Sequence, residues 1–552
     1  MAEKFDWLRK RRKTELELPY EPPICLTDKS NGEFYWRQTP HERRVREQIL
    51  HQADDNARKL GMDRREFLAS AMGMATSLSV LNLASGCGDS EDTDILDAGP
   101  DSGTPTGGYC IPKGTTLDCD AANELLGGNE FIFDLQTHHI VDEEMWRETH
   151  PGEAYSGESF YRFWDIWHAS CPTRDSNCIG PDQYLEDIYM NSDTTVGVLS
   201  GYPSEICDDA SLCNALISNN DMVATRDRVN ALASSQRVVQ HCQVMPNSRL
   251  DLQLEMMERI HAEHGNHGWK CYPPAGSWWL DDEDSGIPFI EKARELTAND
   301  DGCGPPRALI CAHKGLPLQG FSREHGDPKD VMVVAKRFPD VDFIVYHSAI
   351  HHMQNANTFA SNEGPYDPDG EVDAENPTNY PVDRSANILV HRVVENDLKG
   401  KNVYAELGSA WMLVMNYPTA AGHLIGKLLK YVGEDNVLWG SECIWFASPQ
   451  PQIEAFRAFQ IPEELRDLYG YPELTPQIKA KIFGLNAARL YGVDPDVKRC
   501  EIAEDRQMAS VRQQMDGELG KRRWAFQSMK GPRTPREFRN LVRWERFKDG
   551  LG

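Results

Sequence analysis

Short apolar runs alternate with amphipathic stretches from about residue 128 to residue 495. The runs are short and rich in β-branched and aromatic residues, which is typical of buried strands, whereas the stretches between them repeat apolar residues at helical spacing. The helical pattern is clear at residues 250–264, where Leu250, Leu254, Met257 and Ile260 recur. We predict eight strands, at residues 131–135, 194–200, 237–244, 268–272, 308–313, 343–347, 402–407 and 436–440.

Eight strands separated by helices predict an α/β protein whose main domain is a (β/α)8 TIM barrel. An open doubly wound sheet is the rival fold, but no GxGxxG motif follows a strand and eight units favour closure. The chain of 552 residues is longer than the roughly 250 residues of such a barrel. We therefore place the barrel at residues 110–500, between an N-terminal extension and a basic helical tail at 501–552.

The net charge of the chain limits the classes of partner that it is expected to bind. A formal net charge of −28 argues against nucleic acid or an anionic membrane surface as the main partner. The tail is locally basic from Lys521 onward, and we interpret it as a solvated or docking segment. A hydrophobic fraction of 40% supplies enough apolar surface for a large core. We expect a small-molecule substrate and a homo-oligomer.

Residues 63–87 resemble a twin-arginine export signal that ends in a lipoprotein box. Arg64 and Arg65 precede a run without charged residues from Leu68 to Cys87, which is too weakly apolar for a permanent membrane span. The run ends in LASGC, so Cys87 is the residue that would be lipidated. The resemblance implies export by the twin-arginine machinery and a periplasmic or envelope-anchored protein. The alternative is a buried Ala-rich helix in a cytoplasmic protein.

The segments on either side of this signal differ in kind. Residues 88–108 are acidic and rich in Pro and Gly, so they cannot bury enough apolar surface to fold, and we interpret them as a flexible linker. Residues 1–62 precede the arginine pair. They are either an N-terminal extension or a pre-region that follows a start codon assigned too early.

Three close couples stand out among the 14 cysteines. None has the CxxC spacing of a zinc site, so we predict short-loop disulfides in an oxidising compartment. Free, partly buried thiols are the alternative. The couples are Cys110 with Cys119, Cys171 with Cys178, and Cys207 with Cys213.

Several predicted strands end in a titratable or metal-binding residue. The carboxyl ends of barrel strands meet at one face, where the active sites of such barrels lie. Imidazole and carboxylate together suit a divalent ion, which can acidify a bound water or polarise a carbonyl or carboxylate. The residues at or near these ends are His138, His241, Lys270, His313, His347, Glu406 and Glu442.

Ordered sequence pieces over about residues 128–495 resemble the amidohydrolase-related family, the branch of the amidohydrolase superfamily with metal-dependent hydrolases and nonoxidative decarboxylases. The closing NAARLYG segment and the order of the histidine-bearing strands are the most specific parts of this resemblance. It implies a barrel enzyme with a divalent metal, zinc first and manganese or iron as alternatives. The pieces are DLQTHHI, KCYPP with WWLDDE, CAHKGLP, FPDVDFIVYHS, NVYAELGS, VLWGSECIW and IKAKIFGLNAARLYGVDP.

The resemblance also implies roles for single residues. The family's strand-one His-x-His corresponds to Gln136 and His138, and its strand-five metal histidine corresponds to His313. Its strand-six histidine, which acts as acid/base or contacts the substrate, corresponds to His347. Its strand-eight aspartate, a metal ligand or general base, corresponds to Glu442, which keeps the carboxylate. Gln136 departs further, because a neutral amide oxygen is a poor zinc ligand and suits harder ions such as manganese.

The remaining candidates are predicted to bind substrate. Lys270 lies on the fourth strand, where some members of the wider superfamily carry a carboxylated lysine, but we expect a structural contact or a contact with a substrate carboxylate instead. His241 and Glu406 are expected to line the site. Consecutive strand residues point to opposite faces, so only one of His138 and His139 can face the pocket, and the spacing in QTH favours His138.

Three functions fit this site. The first is a metal-dependent hydrolase of a small organic substrate, in which metal-bound water attacks a C–N or C–O bond and Glu442 or His347 carries the proton. The second is a nonoxidative decarboxylase or hydratase of an aromatic or unsaturated acid, with His347 handling the proton. The third is a noncatalytic barrel that binds a ligand and has a degenerate metal site, which the presence of Gln136 favours.

Overall fold

The computed structural model describes residues 21–27, 29–30, 35–36, 38–85, 108–141, 145, 147–148, 180–201, 205–206, 212–213, 217–298, 304–316, 321–350, 363–367 and 385–503. Its centre is a parallel sheet of eight strands that are hydrogen-bonded in the order of the sequence. The strands are β1 Phe133–Thr137, β2 Val196–Ser200, β3 Val238–Gln243, β4 Trp269–Cys271, β5 Ala308–His313, β6 Val341–Tyr346, β7 Val403–Glu406 and β8 Val437–Leu438.

The first and last strands meet, so the sheet is a nearly closed barrel and the predicted fold class is confirmed. The Leu135 N–H donates to the Trp439 carbonyl at 3.0 Å, and Thr137 forms a parallel bridge with Cys443. Strand β1 begins and ends two residues later than predicted, and its register against β2 shifts between Asp134 and Thr137. Gln136 lies within the shifted part of the strand and is therefore part of the barrel wall.

Helices follow the strands and cover the outside of the barrel. Helix α6 begins at a capping box, in which the Ser218 hydroxyl accepts from the Asp221 N–H at 3.2 Å. The helices are α1 Pro40–Leu60, α2 Arg64–Leu68, α3 Ala71–Ser85, α4 Cys119–Leu126, α5 Pro181–Tyr184, α6 Asn219–Ala233, α7 Leu250–His264, α8 Gly286–Ala298, α9 Lys329–Arg337, α10 Asn387–Glu395, α11 Ala410–Val414, α12 Pro418–Lys427, α13 Gln450–Ala458, α14 Glu463–Tyr469, α15 Pro476–Ala480, α16 Asn486–Tyr491 and α17 Pro495–Ala503.

Shorter elements complete the chain. Single turns of 3₁₀ helix lie at Thr115–Leu117, Glu324–Gly326 and His347–Ala349, and π-helical turns lie at Leu185–Met190, Leu428–Val432 and Lys481–Leu485. Antiparallel two-residue pairs join Lys29–Ser30 to Tyr35–Trp36, Gly108–Tyr109 to Phe459–Gln460, and Glu205–Ile206 to Leu212–Cys213.

Alternate strand residues point to the barrel axis and form their own buried cluster. Helix α16 contributes to the same cluster and closes one end of the barrel, where the rings of Tyr491 and Phe133 lie 4.8 Å apart. Apart from α16, the inward residues of this cluster are Phe133, Leu135, Val196, Val198, Val239, Leu309, Cys311, Ile344, Tyr346, Tyr404 and Leu438. With one end filled by apolar side chains, the polar strand ends are left to form the other.

The segment that resembles an export signal is packed into the protein in this structure. Arg64 begins α2 and pairs with Asp54 at 3.4 Å, while Phe67 and Leu68 are buried. Helix α3 packs against α1 and α4. Within the described part of the chain, none of the helices is long and apolar enough to cross a membrane. Cys87 lies outside the described residues, so export through Arg64 and Arg65, lipidation and location stay predictions.

The predicted disulfide between Cys110 and Cys119 is wrong for this structure. Cys119 is a free thiol at the exposed start of α4, and its sulfur accepts from the Asn123 amide at 3.3 Å. Cys110 instead follows the strand pair at Gly108–Tyr109, where its N–H donates to the Ala458 carbonyl. Cys171, Cys178 and Cys207 lie outside the described residues, as do residues 504–552 of the predicted tail. The side chain of Cys213 is not described either.

Candidate active site

The carboxyl ends of the barrel strands bring five of the predicted site residues together. Gln136 lies on β1, and His138 follows that strand directly. His313 ends β5, His347 follows β6, and Glu442 follows β8. All five side chains are buried. We call these residues the mouth cluster.

The amide of Gln136 is the centre of the mouth cluster. Its Nε2 lies 3.4 Å from His138 Nε2, 3.4 Å from His347 Nε2 and 3.5 Å from Glu442 Oε1. His347 Nε2 and Glu442 Oε1 are themselves 3.8 Å apart. Four side chains from three separate strand ends therefore converge on one small volume.

Backbone carbonyls determine which nitrogen of two imidazoles faces this volume. His138 Nδ1 donates to the Ser200 carbonyl at 2.7 Å, and His347 Nδ1 donates to the Gly408 carbonyl at 2.9 Å. A carbonyl oxygen only accepts, so each Nδ1 must carry the proton and each Nε2 presents a lone pair when the ring is neutral. The same arrangement orients histidines that bind metal in other proteins.

Burial keeps the histidines of the mouth cluster neutral. Desolvation, assisted by the positive charge of Lys270, lowers the pKa of His138 and of His313 to about 3. Desolvation also lowers the pKa of His347 well below its ordinary value, followed by the effect of His313. Neutral imidazoles are the form that binds metal.

His313 lies at the edge of the mouth cluster. Its ring stacks on Tyr272 with centroids 5.0 Å apart and meets the ring of His347 edge-on at 4.8 Å. Its Nε2 approaches the Leu316 carbonyl at 3.3 Å. Trp445 covers the other side, because its ring stacks on His138 at 5.5 Å. Aromatic rings thus form two walls of the site.

Glu406, predicted to bind substrate, supports the backbone beneath the mouth cluster. Its Oε2 accepts from the His347 N–H at 2.9 Å, and its Oε1 accepts from the Gly408 N–H. The backbone it holds is strained, since His347, Ser348 and Ala349 have φ of 57°, 49° and 51°. Burial raises the pKa of Glu406 to about 7. These contacts position His347 over the site.

We expect Gly440→Ala to destabilise the protein by about 1–3 kcal/mol, because the new Cβ would collide with Glu406 Oε1. Urea unfolding measures the loss. The double variant Gly440→Ala with Glu406→Ala lacks the oxygen with which the new Cβ collides. If this double variant is more stable than Gly440→Ala alone, the clash is the cause of the destabilisation. An unchanged midpoint for Gly440→Ala alone would contradict this account.

His241 and Lys270 lie deeper in the barrel than the mouth cluster. His241 Nδ1 contacts the Tyr346 hydroxyl at 3.0 Å and its Nε2 contacts the Tyr491 hydroxyl. The Lys270 ammonium lies 3.0 Å from the centroid of the Tyr346 ring, and within the described residues it has no hydrogen-bond partner. His241 is thus engaged by protein hydroxyls, whereas Lys270 is not.

His139 is turned away from the site, as the alternation of strand residues predicts. Its Nε2 contacts the Thr225 hydroxyl at 2.9 Å. The prediction missed Ser200 and Gln243, which end β2 and β3 and point into the barrel. Both residues end a strand, which is a signal in the sequence, but a hydroxyl and a neutral amide are neither titratable nor common metal ligands.

The fit of these residues to a divalent metal depends on Gln136. Among the described residues, no three His, Cys, Asp or Glu side chains are close enough together to hold a metal ion. The Gln136 amide lies between the candidates, and its Oε1 is buried without a partner in the described structure. The contacts of 3.4 and 3.5 Å are made by Nε2, and rotation of the amide by half a turn would exchange Nε2 for Oε1 at this position. Ligands about 2.1 Å from one ion are roughly 3.4 Å apart when tetrahedral, so the oxygen would then have the spacing of a ligand. The donor set fits a metal when Gln136 supplies its oxygen.

Comparisons with known proteins concern one part of the chain and the barrel as a whole. Residues 398–493 match the sequence model of a family described as amidohydrolase. No curated protein matches the chain.

Similar solved structures cover about two thirds of the chain. The 5-carboxyvanillate decarboxylase of Sphingomonas paucimobilis is 12% identical, with 66% of this chain and 100% of that chain covered and a TM-score of 0.38. A dihydroxybenzoic acid decarboxylase from Polaromonas, with bound manganese and 2-nitroresorcinol, is 13% identical over 68% and 100%, with a TM-score of 0.36. A putative 2-pyrone-4,6-dicarboxylic acid hydrolase from Pseudomonas putida is 11% identical over 66% and 98%, with a TM-score of 0.34. The segment that carries β7, β8 and Glu442 is thus the part of this chain with sequence similarity to the amidohydrolase family.

Proposed function

We propose that the mouth cluster is the active site of a metal-dependent enzyme that removes a carboxyl group from a small organic acid without oxidation. The observation that carries the proposal is the convergence of two lone-pair-bearing imidazoles and a carboxylate on the Gln136 amide at the carboxyl end of a barrel. That end is where catalytic residues of such barrels lie.

His138 and Glu442 would hold the metal, together with Gln136 through Oε1 and with His313 at the edge. A bound ion supplies a positive charge that binds a substrate carboxylate and stabilises negative charge as the reaction proceeds. Two of the donors are oxygens and one of these is neutral, so the site suits manganese better than zinc. This choice departs from the zinc expected from the sequence.

His347 and Glu442 are placed to handle the proton that replaces the carboxyl group. Their Nε2 and Oε1 lie 3.8 Å apart, so a proton held between them lies beside the metal donors. The Gly408 carbonyl fixes the ring of His347, which keeps Nε2 directed at the substrate position. That nitrogen is unprotonated in the neutral ring, so it would take up a proton from solvent before passing it to the carbon that loses carbon dioxide.

The dryness of the site favours loss of carbon dioxide. Trp445 and Tyr272 form aromatic walls, and the residues of the mouth cluster are buried. A carboxylate held in such surroundings loses hydration, which raises its free energy relative to a transition state with dispersed charge. Hydrolysis instead requires a water molecule to enter and react.

Hydrolysis of a C–N or C–O bond is the second candidate. The pairing of His347 with Glu442 favours it, because either group can accept a proton from an attacking water. Incubation of the manganese-loaded protein with aromatic acids and their amides in ¹⁸O-labelled water separates the two. Decarboxylation releases carbon dioxide and leaves the other product unlabelled, whereas hydrolysis places ¹⁸O in the product. A protein that retains no metal and converts neither class would be the noncatalytic barrel.

We expect Gln136→His to raise the affinity for zinc by at least about tenfold, because a neutral imidazole is a better zinc ligand than an amide. Gln136→Leu, which has a similar volume and no donor, should lower metal retention. Competition with a chelator, followed by metal analysis, measures both. Equal retention by the two variants and the native protein would show that residue 136 does not contact the ion.

A further inference from the structure

Three neighbouring barrel strands each bear a buried polar side chain that has no hydrogen-bond partner among the described residues. They are the Ser200 hydroxyl on β2, the Gln243 amide on β3 and the Lys270 ammonium on β4. All three are 0% exposed. Unpaired buried polar groups are rare in native proteins, so three together call for a physical reason.

The three side chains lie next to one another on the inner wall. Alternation along each strand places them on the face that points to the barrel axis, in register with Val198, Val239 and the cluster around Tyr346. Gln243 is paired with Lys270 across the strands. The Gln243 Oε1 also lies 2.9 Å from where a Cβ on Gly201 would be, directly beside Ser200. We call these residues the donor trio.

Lys270 differs from the other buried lysines of the described structure. Lys314 pairs with Asp330 at 2.7 Å, Lys427 pairs with Glu363, and Lys479 donates to the Arg457 carbonyl at 2.5 Å. Burial of an ammonium without an acceptor lowers the free energy of unfolding by several kcal/mol, because the ion loses its hydration. Burial lowers the pKa of Lys270 to about 8, and the nearby Glu406 and Glu442 carboxylates offset part of that effect. The fold therefore keeps at Lys270 an ammonium that no hydrogen-bond acceptor among the described residues satisfies.

The donor trio faces the mouth cluster across the barrel. The mouth cluster lies on β1, β5, β6 and β8, whereas the donor trio lies on β2, β3 and β4. The two are in contact at Ser200, whose carbonyl accepts from His138 Nδ1 at 2.7 Å. Lys270 is also close enough for its charge to lower the pKa of His138 and of His313. The two sets of residues are therefore adjacent inside the barrel.

We propose that Ser200, Gln243 and Lys270 bind a second carboxylate of the substrate, so that the enzyme acts on dicarboxylic acids. The ammonium supplies the countercharge, and the amide NH₂ and the hydroxyl supply two further donors for the same pair of oxygens. The metal donors take the carboxylate that reacts, and the donor trio takes the one that remains. This inference rests on the proposed function for the first carboxylate only.

Binding of two small acids tests the inference without turnover. Calorimetry with the full-length, manganese-loaded protein compares benzoate, which has one carboxylate, with isophthalate, which has two. We expect isophthalate to bind at least about tenfold more tightly, because one hydrogen bond to a charged group raises affinity by about this factor or more. In Lys270→Met the two affinities should become equal, and in Gln243→Glu, which gives Lys270 an internal partner, isophthalate should lose its advantage.

Stability separates a binding role from a structural one. Lys270→Met loses no hydrogen bond or ion pair, and the Met side chain can still pack on the Tyr346 ring that the ammonium contacts. It should therefore leave the melting temperature unchanged or raise it. Lys479→Met is the matched control, since it removes a buried lysine that does have an acceptor, and its melting temperature should fall. A preference for isophthalate that persists in Lys270→Met would overturn the inference, as would equal binding of the two acids by the native protein. Absence of metal in the native protein would instead contradict the proposed function.

Discussion

Glu442→Gln is expected to lower turnover by on the order of 10³-fold while the protein remains folded. The substitution keeps the size of the side chain but removes the only negative charge next to the Gln136 amide in the described mouth cluster. A neutral amide binds a divalent ion more weakly and cannot share a proton with His347. Metal analysis and steady-state kinetics on the same preparation measure both effects.

Glu454→Gln is the matched control for this substitution. Glu454 is also buried but lies on α13, where it accepts from the Gln450 amide at 3.0 Å. We expect its turnover and metal content to stay near those of the native protein. Full activity of Glu442→Gln would exclude Glu442 from the reaction and from the metal site.

Asp330→Ala is expected to destabilise the fold by about 3–5 kcal/mol, because it leaves the Lys314 ammonium buried without its countercharge. The two groups lie 2.7 Å apart and are 1% and 0% exposed. The Leu280 N–H, which donates to the same carboxylate at 2.8 Å, also loses its acceptor. Since Lys314 follows His313 directly, turnover should fall as well. Urea unfolding and kinetics measure the two losses.

Two controls identify the cause of this destabilisation. The double variant Lys314→Met with Asp330→Leu replaces the ion pair by apolar side chains and should recover most of the stability. Glu283→Ala removes an exposed ion pair of similar length with Arg337, and its unfolding midpoint should hardly change. A double variant as unstable as Asp330→Ala would show that the carboxylate matters for another reason.

The order of the barrel strands was predictable because each strand carries its own local signal. Residues 308–313 form a run of apolar residues that ends in a histidine, and the observed strand has the same bounds. The first strand was placed two residues early, because its register shift depends on hydrogen bonds to a distant segment. The Asp134 carboxylate accepts from the Ser441 N–H at 2.9 Å, and no local pattern reveals that contact.

The mouth cluster was also predictable in part. His138, His313, His347 and Glu442 were expected from strand ends, where parallel topology brings residues together. The central position of Gln136 was not expected, since it follows from distances to His347 and Glu442, which follow two other strands. The disulfide at Cys110 failed for the same reason, because closeness in sequence does not ensure closeness of the sulfur atoms.

The sequence by itself determined the barrel, the face on which the site lies and most of the residues there. These follow from strand periodicity and from the rule that parallel strands share an end. Only the tertiary structure decided that Glu406 supports the backbone and that His241 contacts tyrosine hydroxyls. It also decided that Lys270 has no hydrogen-bond partner among the described residues. The physical reason is that a side chain's role depends on which groups from other strands satisfy its charge and hydrogen bonds. Those groups are neighbours across the barrel, and they are distant along the chain.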